Sequence, residues 1–497
     1  MASIRLFSAI RFPGKGRFRC ALPPILLAIG LFLGACGGSN SAPPVQNGPT
    51  VQPVVTTADR SMLLQSQPAT RFTSGGSPTQ FNITVDDSVA YQQIDGFGAS
   101  LTDSSAWLIW NKLDPSQQAD LAQKLFSPSA GIGISFLRQP MGASDFSASG
   151  NYSYDDVPVG QADPNLLNFS IAHDTAYIIP LLKQGLAANP AIKVVALPWS
   201  PPAWMKTTGT MNGGDIIPTY FPSLAQYFVN YIQAYQQQSI PIYAISVQNE
   251  PLYSTPDYPT AYLSASDESD FLANHLGPAL TGAGLSNVKI FGYEHNWDNP
   301  GYAESVLASS AASYVAGTSF HCYAGDVSAQ SEVKTAYPNK DIWFTECTGS
   351  VGSSFAGDLV WNSERLLIGA TRNWARSISL WNLALDQNSG PTNGGCSQCR
   401  GVVTIDDSTS PSTITYNVEY YVLGHLGKFV VPGAHRIASN TFGVGSIEDV
   451  AFRNPDGSIA LFVLNSGGSS TQFTVSWKGQ TFNYTLTGGA VATFTWK

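Results

Sequence analysis

Glu250 and Glu346 each close an apolar, strand-like run: Ile245-Ser246-Val247-Gln248-Asn249-Glu250-Pro251 and Ile342-Trp343-Phe344-Thr345-Glu346-Cys347. A carboxylate at the end of a buried strand costs free energy unless it is paired or used. Either residue alone reads equally well as a capping or salt-bridged side chain. The two together, each bracketed by aromatics and amides, have the chemistry of an acid/base and a nucleophile working on a glycosidic bond. That chemistry needs a protonated acid beside the leaving oxygen and an ionised carboxylate beneath the anomeric carbon. A retaining reaction sets the carboxyls about 5–5.5 Å apart, an inverting one roughly 6.5–9.5 Å.

Such residues need a frame to hold them. From about residue 90 the chain alternates short apolar runs with helix-like stretches. The strand candidates are 92–99, 134–140, 193–199, 242–248, 288–293, 314–322, 341–346 and 377–383. Helical patterns fall between them, for example 115–126, 174–187, 222–237, 268–280, 358–375 and 417–428. This alternation predicts an α/β fold, a parallel (β/α)8 TIM barrel over 90–430. The rival is a doubly wound open sheet with a glycine-rich dinucleotide turn. Gly96-Phe97-Gly98 lacks the third glycine of that turn, because position 101 is Leu, so the rival is set aside. Beyond residue 430, β-type runs such as Ile459–Asn465 and Gln472–Trp477 alternate with Gly, Asn and Ser turns. Residues 431–497 therefore read as an accessory all-β sandwich, with 60–89 supplying its N-terminal strands, so that both chain ends build it.

The 497-residue chain is 43% hydrophobic and only 12% charged, with a net charge of −9. That balance suits polar neutral ligands and argues against nucleic acid, which calls for a basic patch. Arg5, Arg11, Lys15, Arg17 and Arg19 precede an apolar run, Ile25–Leu33, too short to span a bilayer. Leu33-Gly34-Ala35-Cys36 follows, resembling a bacterial lipobox with cleavage before Cys36 and lipidation of its thiol. Ordinary signal cleavage nearby is the alternative. On this reading 1–35 is a lipoprotein signal peptide and 36–59 a flexible tether. Its loss removes five positive charges and takes the balance from −9 to −14. The protein is then exported, as a surface lipoprotein or in secreted form, touching membrane only through its anchor, and is expected to be a monomer. Cys396-Ser397-Gln398-Cys399 reads as a loop-stapling disulfide in an oxidising compartment rather than half of a zinc site, since no second pair has suitable spacing. Cys322 and Cys347 read as buried free thiols pointing away from the cleft, although they are able to pair.

In a (β/α)8 barrel the site forms at the carboxyl ends of the strands. The candidate strands here end in Asp95-Gly96-Phe97-Gly98, Arg138-Gln139-Pro140-Met141 with Asp145, Pro198-Trp199-Ser200-Pro201-Pro202-Ala203-Trp204, Asn249-Glu250-Pro251, Tyr293-Glu294-His295-Asn296-Trp297, His321-Cys322-Tyr323, Phe344-Thr345-Glu346 and Trp381-Asn382. Packing alone does not explain that convergence. Together with Thr102-Asp103 and Leu383-Ala384-Leu385, these motifs resemble glycoside hydrolase family 30, the glucosylceramidase-like branch of retaining barrel glycosidases.

The resemblance implies that Glu250 is the general acid/base and Glu346 the nucleophile. Asn249 would hold the sugar 2-hydroxyl, and Asp145, Trp199 and Trp381 would bind glycone hydroxyls. Tyr323 would orient Glu346, and Arg138 would pair with a catalytic carboxylate and keep it ionised. A structural ion pair is the plain alternative for Arg138, and barrel-mouth packing for the two tryptophans. His295, His321 and Glu294 are equally open to contact with substrate or to packing. The family uses no cofactor, and none is expected. The implied substrate is a carbohydrate or glycolipid, with glucosylceramide-like lipids first and β-1,6-glucan as the alternative. Xylan- or fucose-directed activity, and a non-catalytic glycan-binding lipoprotein, are remoter readings. The Gly390–Gly401 loop is expected to shape the aglycone side.

Overall fold

The computed structural model describes residues 47–497. The signal segment, the lipobox and Cys36 lie outside the described residues.

Eight parallel strands close into a barrel in chain order: Gly96–Ser100, Phe136–Pro140, Lys193–Leu197, Ile242–Ser246, Lys289–Asn296, Gly317–His321, Asp341–Glu346 and Ala375–Asn382. Phe136, Val195, Ala244, Phe291 and Trp343 fill its interior, with Phe291 and Trp343 stacked 3.8 Å apart. The outer helices bury one face each. In Phe221–Gln237, Leu224, Phe228, Tyr231, Ile232 and Tyr235 recur at helical spacing and all turn inward. Pro115–Phe126 starts where Asp114 accepts from the Ser116 and Gln117 amides, with Pro115 in the first turn. Among the described residues, no helix is long and apolar enough to cross a membrane.

The first barrel strand differs from expectation. Gln92 and Gln93 end a sandwich strand, Asn82–Gln93, and the barrel strand begins only at Gly96. Asp95 causes the break, because its carboxylate turns into the barrel floor to meet Lys193, Arg376, Tyr243 and the Trp343 indole. Glycines are needed on this strand: a Cβ on Gly98 would lie 1.9 Å from the Phe136 carbonyl oxygen.

The expected tether is also corrected. Asn47–Thr56 is a sandwich strand, paired antiparallel to Val491–Trp496 with Val54 opposite Thr493. Val51 and Val55 are buried in the sandwich core. Their hydrophobic burial outweighs the Pro- and Gln-rich surroundings that suggested a linker. Asn82–Gln93 lies between His435–Ser439 and Thr471–Trp477, so early and late chain segments share one sheet. Helix Val418–Gly427 docks this module on the barrel: the two ring nitrogens of His425 meet Thr493 Oγ1 and Thr56 Oγ1, each at 2.9 Å.

Cys322 and Cys347 are not free thiols but a disulfide, with Cα atoms 5.4 Å apart. They follow His321 and Glu346, which are register partners on adjacent strands. Parallel neighbours in register bring the next residues within bridging distance. Cys396 and Cys399 are bonded to each other.

Candidate active site

Five strand ends deliver the charged groups to one mouth. Arg138, fully buried, sits at the centre and spends each guanidinium nitrogen on a different partner. Its Nε donates to Glu294 Oε1 at 3.0 Å, Nη1 to Glu346 Oε2 at 2.6 Å and Nη2 to Asn249 Oδ1 at 2.6 Å. Tyr323 donates its hydroxyl to Glu346 Oε1 at 2.8 Å, so both Glu346 oxygens are held. Glu250 meets His321 Nδ1 at 3.1 Å, while His321 Nε2 meets Glu294 Oε1 at 3.3 Å. With a carboxylate against each ring nitrogen, His321 must donate from both. Burial alone would depress it, but Glu346, Glu250 and Glu294 raise it to about 9. Burial opposes ionisation of Glu250 as well, yet His321, His295 and Arg138 bring its carboxyl below the ordinary value. One oxygen each of Glu250 and Glu346, with one His321 nitrogen, lie within 4.8 Å of one another.

Local backbone makes this possible. Glu250 has φ +46°, and its amide donates to the Glu294 carbonyl at 3.1 Å. Tyr293 and Glu294 have φ +72° and +61°. Left-handed conformations in such residues cost about 1–3 kcal/mol each and persist only where the surroundings enforce them. Here they form bulges. Ser319 pairs with Tyr293 and Phe320 with His295, which leaves Glu294 as the extra residue; Thr345 is the extra residue between Phe344 and Glu346. Unbroken alternation from inward Phe291 and Trp343 would turn Glu294 and Glu346 outward. The bulges reset the parity and aim both carboxylates at Arg138.

Asp145 is the remaining acid. It is half-buried, with its Oδ1 shielded from solvent and without a hydrogen-bond partner. Burial first, then Glu346 and Glu250, push its carboxyl well above the ordinary range. Such a group is costly unless a ligand hydroxyl completes it. Trp199 and Trp381 stack on each other at 4.8 Å, and the Arg138 guanidinium lies 4.7 Å and 5.4 Å from their ring centroids. The stack turns one face of each ring to the other, and Arg138 lies beside both. The Gly390–Gly401 loop closes over Asp145, whose carbonyl accepts from the Asn393 and Gly395 amides.

The description "Glycosyl hydrolase family 30 TIM-barrel domain" matches residues 94–430, and that of the family's beta sandwich domain matches 433–494. The chain belongs to glycoside hydrolase family 30. It is 35% identical to an endo-1,6-beta-D-glucanase of Aspergillus fumigatus, over 81% of this chain and 85% of that one. It is 30% identical to the lysosomal acid glucosylceramidase of Mus musculus, over 84% and 83%. A solved endo-beta1,6-glucanase superposes with a TM-score of 0.82 at 33% identity, covering 90% of this chain and 99% of that one. The family 30 chain is thus a glycoside hydrolase that cleaves β-glycosidic bonds.

Glu250, Glu346, Arg138, Asn249, Tyr323, Asp145, Trp199 and Trp381 all come together in this family 30 site. Sequence reasoning left Glu294 and His321 open between substrate contact and packing. Glu294 is sealed beneath Arg138 and takes further hydrogen bonds from Ser246 and Ser319. Burial opposes its charge, but Arg138 and His321 hold it far below the usual range. His321 bridges Glu294 to Glu250. His295 stands 4.0 Å from Glu250 with its Nδ1 unpartnered. Tyr258 went unnoticed in the sequence; it packs with the Trp199–Trp381 cluster and lies near-parallel to Tyr253. The pair Tyr253 and Tyr258, just beyond Glu250, was the available signal.

Proposed function

We propose that this chain hydrolyses β-1,6-linked glucan with retention, through a covalent glycosyl-enzyme on Glu346. The observation that carries the reaction is the approach of Glu250 and Glu346 oxygens to within 4.8 Å. That spacing supports the retaining geometry and falls short of the roughly 6.5–9.5 Å between the carboxyls of an inverting enzyme.

Glu346 attacks the anomeric carbon while Glu250 gives its proton to the leaving oxygen, and the glycosidic C–O bond breaks. Water then attacks the same carbon; Glu250 takes its proton, and the bond to Glu346 breaks. In the open site Glu250 leans toward its ionised form, the one the second step needs. A bound sugar displaces water and adds desolvation, which raises the carboxyl toward the protonated form needed first. Because Arg138 occupies Asn249 Oδ1, the amide NH2 is the end left to donate to the 2-hydroxyl. Asp145 Oδ1 supplies the buried contact for another glycone hydroxyl.

Higher identity to endo-1,6-glucanases than to glucosylceramidases favours the polymer over the lipid, reversing the order taken from sequence. The similarity to the mouse glucosylceramidase supports glucosylceramide as the second reading. Product analysis of residues 37–497 offered both substrates separates them. Gluco-oligosaccharides from the polymer are expected; glucose and ceramide alone would replace the first reading by the second. Release of α-anomers as the first product would sink the retaining mechanism. The basic and apolar start supports export with an anchor at Cys36, and fatty-acid labelling lost in Cys36→Ser tests it.

A further inference from the structure

A second cavity, of about 250 Å³, lies away from the catalytic carboxylates, and nothing in the mechanism uses it. Its walls come from three places. Arg60 belongs to the sandwich segment after Asn47–Thr56. Phe355 follows the loop that leaves the Glu346 strand. Thr415, Tyr416, Asn417 and Tyr421 follow the loop that leaves the Trp381 strand. Those two barrel loops are tied together by Gly349 pairing with Arg400 and Ser350 with Cys399. The cavity therefore sits among the loops of the strand-seven and strand-eight side of the barrel mouth.

Its chemistry is specific. The Phe355, Tyr416 and Tyr421 rings are half-buried, leaving apolar surface in the hollow. The Arg60 guanidinium lies 4.7 Å from the Phe355 ring centroid and makes no ion pair among the described residues. Asn417 gives its NH2 to Gly401 O and Thr404 Oγ1, which leaves its side-chain carbonyl as an acceptor. Arg400 is neutralised by Asp358 and Glu419 and adds no free charge. The wall so offers donors from Arg60, hydroxyls that both donate and accept from Thr415, Tyr416 and Tyr421, and an acceptor from Asn417. An anion asks for donors alone. Vicinal hydroxyls ask for both, and the C–H faces of a pyranose ask for aromatic surface.

We propose that this cavity is an accessory binding site for a neutral, hydroxyl-rich glycan chain, holding a sugar unit of the polymer outside the catalytic cleft. The identity of that sugar rests on the glucan reading above. The site raises the residence of a long substrate near the mouth by linking two weak contacts through one chain.

The test uses the full chain carrying Glu346→Gln, which removes turnover, and affinity electrophoresis in soluble β-1,6-glucan. Adding Arg60→Ala and Tyr421→Ala is expected to weaken retention about tenfold, the loss of one good contact. In the active enzyme the same pair should raise KM for the polymer and leave kcat/KM on a short β-1,6-oligosaccharide unchanged, with the melting temperature retained. Unaltered polymer retention would overturn the proposal, as would an equal loss on the short substrate. If the parent does not cleave β-1,6-glucan, the substrate reading fails independently. Retention in β-1,3-glucan, β-1,4-glucan and xylan then decides: retention lost in the Arg60/Tyr421 variant upholds the site, and retention that is absent or unchanged removes it.

Discussion

Both ends of the barrel interior hold buried charge, separated by the apolar plug of Phe136, Val195, Ala244, Phe291 and Trp343. At the floor, Asp95 faces two cations, Lys193 and Arg376, and takes hydrogen bonds from Tyr243 and Trp343, while Asp341 pairs with Arg376 at 3.0 Å. At the mouth, Arg138 and His321 face three carboxylates, Glu250, Glu294 and Glu346, and Asp145 lies beyond with an unpartnered oxygen. The floor is satisfied by the protein itself. The mouth keeps excess negative charge and an incomplete hydrogen-bond set. A closed, balanced cluster serves stability, whereas an open, unbalanced one is completed by ligand and reaction.

Removing the nucleophile breaks this contrast most severely. Glu346→Gln is expected to lower kcat about ten-thousandfold or more while the melting temperature holds. An active, well-folded variant would remove Glu346 from the mechanism. Next comes Glu250→Gln. Its loss should reach about 10²- to 10⁴-fold on natural linkages and be far smaller on glycosides with activated leaving groups, which need no acid. Equal losses on both would contradict an acid/base role.

The floor should respond in stability and not in rate. Asp95→Asn leaves Lys193 without its carboxylate and Arg376 with Asp341 alone, and is expected to cost about 3 kcal/mol in denaturant unfolding, with kcat little changed. Burial opposes the Asp95 charge, but Arg376 and Lys193 bring its carboxyl down to about 2. A lowered carboxyl stabilises the fold above the unfolded value near 4, and that contribution drains as pH falls toward 2. The variant should therefore lose part of the acid sensitivity of the parent between those values. A kcat loss as large as its stability loss would mean that floor and mouth are coupled.

The smallest effect belongs to His321→Asn, roughly tenfold in kcat/KM, through a Glu250 that loses its charged neighbour. His321 is raised, so its stabilisation is whole below about 6.5 and disappears as pH climbs through about 9. Thermal unfolding of the parent should weaken over that alkaline window, and the variant should not. Identical pH dependence in both would show that His321 is not the titrating group.

The sequence by itself determined the barrel, its strand order and eight of the residues that meet at its mouth. The barrel follows from local periodicity and the rule that parallel barrels place strand ends on one face, and the family resemblance picked the eight residues out from among the polar strand ends. The sandwich was legible from alternating β-runs, including the contribution of both chain ends. Only the tertiary structure decided the rest. Asn47–Thr56 reads as linker until Val491–Trp496 offers it a partner more than four hundred residues away. Cys322 and Cys347 pair because two strands lie in register, which no spacing along the chain reveals. The inward turn of Glu294 depends on one extra residue opposite Ser319 and Phe320, a shift of parity that simple alternation assigns the wrong way. Periodicity is a property of neighbours along the chain; register is a property of neighbours across it, and register aims these carboxylates at one arginine.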